Sequence, residues 1–172
     1  MDAADEVAAV RDPDFGADLG AGRLPELRVR VQELARPRRL LPVRVIRGLH
    51  PEQSDDLGRR LRDLRSEGVL LIGSGFMTHG LQFATREMFY ENQIPRWSSE
   101  FDAWVAEALA RGDVDALANF ERAPGMPYAH PTVEHFTPLF ITLGAATDPE
   151  AAPLSVIDDF QFGFAKRSLQ VV

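Results

Sequence analysis

The 172 residues carry a net charge of −7 at neutral pH, with 45% hydrophobic and 26% charged side chains, the ordinary balance of one globular domain. An acidic balance argues against nucleic acid as a partner, because phosphate recognition needs a basic face. There is no cysteine, which excludes disulfides, thiol catalysis and thiolate-bound metals and leaves any metal to histidine, carboxylate, carbonyl or water.

No apolar run approaches the ~18 residues of a membrane span, and the N-terminus lacks a charged-then-apolar leader. The sequence therefore predicts a cytoplasmic protein without membrane association. Residues 1–22, rich in Ala, Asp and Gly, predict a poorly ordered segment, and residues 23–172 a single α/β domain. Pro25 to Ala35 has a helical pattern behind a proline, and Leu41 to Ile46 reads as a short strand. Ser54 is expected to cap a helix whose apolar stripe is Leu57, Leu61 and Leu64 and whose end is Gly68. The run Val69-Leu70-Leu71-Ile72 then reads as a buried strand. Such an α-then-β step builds a mixed β-sheet flanked by helices.

Leu81 to Asn92 fits no single pattern. Ser98 or Ser99 is expected to cap an amphipathic helix running to Ala110, with Phe101, Trp104, Val105 and Leu109 on one side. Asp113 caps a second short helix, Val114 to Phe120, and Pro124 to Pro131 is a loop. Thr137-Pro138 opens a helix through Leu143, and Leu154 to Ile157 and Lys166 to Val171 read as strands.

Chemistry concentrates in two stretches. Gly73-Ser74-Gly75-Phe76-Met77-Thr78-His79 follows the apolar run directly, and ligands in open α/β sheets sit at such strand ends. Ser74 is not in a Gly-x-Ser-x-Gly elbow, and the turn is neither a dinucleotide fingerprint nor a phosphate loop. The second stretch is His130-Pro131-Thr132-Val133-Glu134-His135. Its two prolines, Pro131 and the following Pro138, argue against the helical metalloprotease arrangement. Two histidines and a carboxylate are still the set that holds ferrous iron with open positions. Histidine titrates nearest neutrality and is the commonest metal ligand, so His50, His79, His130 and His135 are all candidates. Beside Pro51, His50 also reads as a helix start. The residues alone leave a metal site and a structural role both open.

Taken in order, Gly68-Val69-Leu70-Leu71-Ile72-Gly73-Ser74-Gly75, Thr78-His79, Phe101-Asp102-Ala103-Trp104-Val105, His130 to Leu139 and Leu143-Gly144-Ala145-Ala146 resemble the class III extradiol ring-cleavage dioxygenases. The nearest branch is the DOPA-dioxygenase-like one, which shares the catalytic B-subunit domain. The resemblance covers residues 54–172 best. It implies an oxidoreductase that opens a catecholic ring with O2 at a non-haem Fe(2+) site, with Zn(2+) as the alternative metal. The partners implied are a small aromatic diol and O2. Carried over, His79 is the catalytic acid/base and His135 a metal ligand, with Glu134 as fallback. His130, Ser74 and Thr78 fall in the substrate or supporting shell.

The family's first two ligand histidines belong to its N-terminal half, where this chain has none before His50. Arg47-Gly48-Leu49-His50 echoes one of those segments, so His50 is a possible further ligand, although Pro51 breaks the pattern. The resemblance thus predicts a domain incomplete on its N-terminal side. It leaves two readings: an enzyme completed by a homo-oligomer or partner chain, or an inactive relative acting as a binding or partner subunit.

Overall fold

Residues 50–149 and 151–172 are described by the computed structural model, and they fall within one unit, Val43–Val172. The expected weak segment 1–22, helix 25–35 and strand 41–46 lie outside the described residues.

Helix α1, Pro51–Leu61, begins earlier than its serine suggested. Pro51 presets the first helical turn, and the His50 N–H donates to Gln53 Oε1 at 3.1 Å. Ser54 is not the cap: it lies a turn inside, buried, with its hydroxyl donating to the His50 carbonyl at 3.1 Å. The buried face of α1 is Pro51, Ser54 and Gly58 rather than the leucine stripe, which is only half buried. The reason is a close helix crossing. A Cβ on Gly58 would strike the Ile141 carbonyl, and one on Gly144 would strike the Asp55 carbonyl. A 3₁₀ turn, Arg62–Arg65, and Gly68 at φ 79° end the element.

Val69–Ile72 corrects the sequence reading. It is not a buried strand: Leu70 and Ile72 are 74% and 71% exposed. From Leu70 to Ser74 the main chain finds no hydrogen-bond partner among the described residues. An apolar run signals a strand's character but supplies no neighbour for it.

A 3₁₀ turn, Leu81–Phe83, and helix α2, Arg86–Glu91, resolve the ambiguous stretch; the Met88 N–H donates to the Thr85 cap hydroxyl at 3.3 Å. Helix α3, Arg96–Ala110, organises the core. Its buried positions Ser98, Phe101, Asp102, Val105, Ala108 and Leu109 recur every three or four residues, one face of a helix. Its N-cap is Pro95, so neither Ser98 nor Ser99 caps it. Helix α4, Val114–Ala118, is capped as expected, the Ala116 N–H donating to Asp113 Oδ1 at 2.9 Å. Helix α5, Thr137–Gly144, opens at Thr137-Pro138 as expected and brings Phe140 inward.

Phe101, Phe136 and Phe140 are almost fully buried, with ring centroids 5.4 Å and 5.2 Å apart in edge-to-face contacts. Side chains of this size each contribute roughly 1.5–3 kcal/mol by burial. The chain closes in two antiparallel pairs. Strand β1 (Leu154–Ile157) pairs with β4 (Ser168–Gln170), and β2 (Phe160–Gln161) with β3 (Phe164–Ala165). The β2–β3 hairpin, unforeseen from sequence, turns on Phe162 and Gly163, both at positive φ. The class is α/β, helices with small antiparallel sheets. Among the described residues no helix is long and apolar enough to cross a membrane.

Candidate active site

The glycine stretch runs from residues 70–74, whose main chain has no hydrogen-bond partner among the described residues, into a firmly held segment. The Met77 N–H donates to the Ala165 carbonyl at 3.1 Å, and the Ala165 N–H returns a bond to Thr78 Oγ1 at 2.8 Å. On the other side, the His79 N–H donates to the Ala129 carbonyl at 2.7 Å, and His130 Nε2 lies 2.8 Å from the Met77 carbonyl. Met77–His79 is thus threaded between β3 and the loop ahead of α5. Close approach fixes both flanks. A Cβ on Gly75 would strike the His135 carbonyl, and one on Gly80 the Tyr128 carbonyl.

This threading brings two of the candidate histidines together. The rings of His79 and His135 stack with centroids 3.4 Å apart and planes 16° from parallel. Both are half buried. Phe76 flanks both rings, at 6.3 Å and 6.4 Å, and its N–H donates to His135 Nδ1 at 3.3 Å. Because Nδ1 accepts, the neutral ring carries its proton on Nε2. Burial lowers the His79 pKa, the neighbouring charge of His135 lowers it further, and Glu134 opposes both. His135 is likewise lowered by burial against the pull of Glu134. The stack therefore favours neutral imidazoles, the form able to take a proton. A cleft of about 310 Å³ runs along Ile72 to Met77 and reaches His135. A larger one, about 590 Å³, is lined by none of the four histidines.

The other candidates are placed differently. His130 is 3% exposed and packed among Phe101, Phe136 and Phe120, with centroids 5.1, 5.0 and 6.4 Å away. Burial pushes its pKa down to about 4, against the bond to Met77 and alongside the charges of His135 and His79. Thr78 is fully buried, bonded to Ser98 Oγ at 2.8 Å and to Ala165. His130 and Thr78 can thus support a site but do not line one. Ser74 is exposed, and His50 is the exposed residue at the start of α1. Sequence reasoning read Ser98 only as a cap and passed over Ala165; both grip Thr78. It also passed over the ion pair in which Arg167 Nε and Nη2 donate to the two oxygens of Asp102 at 2.9 and 2.7 Å. Of these, Ser98 and Asp102 left a trace in the sequence, as polar positions on the buried stripe of α3.

This geometry bears directly on the expected metal. Imidazole lone pairs lie in the ring plane, so two rings stacked 3.4 Å apart cannot both direct a nitrogen at one ion. The Nδ1 lone pair of His135 is engaged by Phe76, and its Nε2 bears the proton. Among the described residues no group of three or more His, Asp or Glu gathers as a ligand set. As arranged, these side chains do not fit the ion.

Residues 32–158, which include all four histidines, match the family model described as the catalytic LigB subunit of aromatic ring-opening dioxygenase. The chain is similar to the 4,5-DOPA dioxygenase extradiol of Beta vulgaris, 37% identical over 99 residues, 57% of this chain and 36% of that protein. The Portulaca grandiflora protein of the same name is 37% identical over 109 residues, 62% and 39% of the two chains. That of Escherichia coli K12 is 32% identical over 108 residues, 60% and 39%. A solved structure of an uncharacterized E. coli K12 protein superposes with a TM-score of 0.63 at 26% identity, covering 72% of this chain and 51% of that one. The matched part spans well under half the length of these curated relatives. By the family match over most of its length, the chain belongs to the LigB family of aromatic ring-opening dioxygenase subunits.

Proposed function

We propose that the chain serves an oxidoreductase of the extradiol type, which opens a catecholic ring with O2, and that His79 is its acid/base. The observation that carries this reading is the His79–His135 stack at the end of a segment tied from both sides. A neutral His79 accepts a proton from a diol hydroxyl and returns it later, and its lowered pKa keeps it neutral at physiological pH. Proton uptake at His79 is limited to one ring at a time, because the stacked His135 raises the cost of a second charge. Phe76 and the cleft beside it offer an apolar wall for an aromatic ring.

The metal in this reading is Fe(2+), with Zn(2+) as the alternative, and His135 or Glu134 would be this chain's ligand. For that role His135 must give up the Phe76 N–H, either to free Nδ1 or to let Nδ1 carry the proton that Nε2 releases. Further ligands have to come from outside the described cluster, whether His50, a second copy or a partner chain. The absence of a ligand set among the described residues leaves one competing reading, a binding or partner subunit with no ring-opening of its own.

The deciding experiment is iron stoichiometry after anaerobic loading with Fe(II), on the wild type and on His135→Ala, followed by O2 uptake with catechols. About one iron per chain, lost in the variant, with ring opening that falls 10²–10⁴-fold in His79→Gln, supports the enzyme. No retained iron in either protein leaves the binding subunit.

A further inference from the structure

Among the described residues the two stacked rings share no hydrogen bond, and charge on one disfavours charge on the other. His135 is fixed separately, by Phe76. The His79 main chain is itself tied, its N–H donating to the Ala129 carbonyl at 2.7 Å, and the residue immediately before it is Thr78. Its hydroxyl is fully buried and has two partners: the Ala165 N–H, and Ser98 Oγ, twenty residues away on α3. Ser98 is itself fully buried. One hydroxyl thus joins three elements, the His79 segment, β3 and α3, in a place that water does not reach.

We propose that Thr78 and Ser98 are a positioning pair, whose hydroxyl–hydroxyl bond registers the His79 imidazole against His135. For its catalytic consequence this rests on the acid/base reading of His79; the geometric claim does not. The pair is coupled to position rather than to fold alone, because the bond lies one residue from His79 and sets where that residue leaves the tied segment. A loss of register of about 1 Å is enough to cost a catalytic group as much as a hundredfold.

The test is NMR on the full chain, reading the ring protons of the histidines. Rings stacked 3.4 Å apart move each other's ring protons upfield, so His79 and His135 are expected to be displaced together. Thr78→Val keeps the shape and removes the hydroxyl. It should abolish the His79 displacement while leaving the ring protons of His130, held in its aromatic cluster, where they are. Thr78→Ser should restore the wild-type pattern. A Thr78→Val protein with unchanged His79 resonances overturns the proposal. Should that variant not fold, Ser98→Ala reads the same bond from the other side with a smaller loss of packing, and the same two outcomes decide. In a protein that opens catechols, kcat is expected to fall about ten- to a hundredfold in Thr78→Val with KM unchanged. A wild type that shows the stack and no ring opening removes the enzyme reading and leaves the positioning pair standing.

Discussion

Residues 69–74 and 75–80 are two halves of one continuous stretch, and they are held in opposite ways. The first half has the apolar composition of a sheet interior, yet Val69, Leu70 and Ile72 are 45%, 74% and 71% exposed. The second half is poorer in strand-forming residues, yet Phe76, Met77 and His79 each donate a backbone hydrogen bond and Thr78 bonds through its hydroxyl. Apolar pattern records which environment a segment suits. Polar contacts decide where it is fixed. The candidate chemistry lies in the half that is fixed, as expected of groups that must be held to a fraction of an ångström.

The largest effect on this contrast should come from cutting the second half loose. Its grip on β3 depends on the C-terminal strands being fastened to α3, and the fastener is Arg167 with Asp102, whose side chains are 8% and 7% exposed. Arg167 also reaches Asp158 at 2.7 Å and Ser155 at 3.1 Å, so none of its three nitrogens is idle. Asp102→Ala would leave a buried guanidinium without its main partner and should cost about 3–5 kcal/mol. Asp158, 62% exposed, should cost less than about 1 kcal/mol when replaced by alanine. Urea unfolding midpoints measure both. Equal, small losses would mean that the second half is held by its own local bonds and not by the C-terminal strands.

How far the molecule could be read in advance follows from what each element depends on. The buried stripe of α3 and the Asp113 cap were legible because both are local patterns along a helix. The Thr78–Ser98 bond was not, since neither residue signals a partner twenty positions away. Nor was the β2–β3 hairpin, whose strands are two residues each and whose signal is one glycine. The residue types suggested one site for the His79 and His130–His135 stretches, and only the family resemblance gave His79 and His135 separate roles in it. A histidine's type does not say whether it faces solvent or core, and His130 faces the core.

That burial gives the next prediction. The folded chain holds His130 neutral down to about pH 4, whereas the unfolded chain takes up its proton near 6.5. A folded pKa below the unfolded one gives stability that is complete above about pH 6.5 and lost as the pH falls toward 4. The loss should reach about 3 kcal/mol, with His79 and His135, both also lowered, adding in the same direction. Urea midpoints at pH 7 and 4.5 should therefore diverge in the wild type and converge partly in His130→Gln. An unchanged divergence in the variant would put the acid sensitivity in the other titrating groups.

The smallest effect on folding should come from the first half, and it bears most directly on what that half is for. If Leu70 and Ile72 face water, Ile72→Lys removes no packing and should shift stability by no more than about 0.5 kcal/mol. The same charge on an apolar edge without a partner among the described residues should weaken self-association, because edge strands recruit one another through free N–H and C=O groups. Sedimentation of wild type and variant across a concentration series reads this. A different result would be more instructive. A loss of 2 kcal/mol or more would mean that residue 72 is covered in solution and that the run is a paired strand after all. The apolar pattern would then have been right, and the contrast between the two halves would be one of which partner holds them rather than whether they are held.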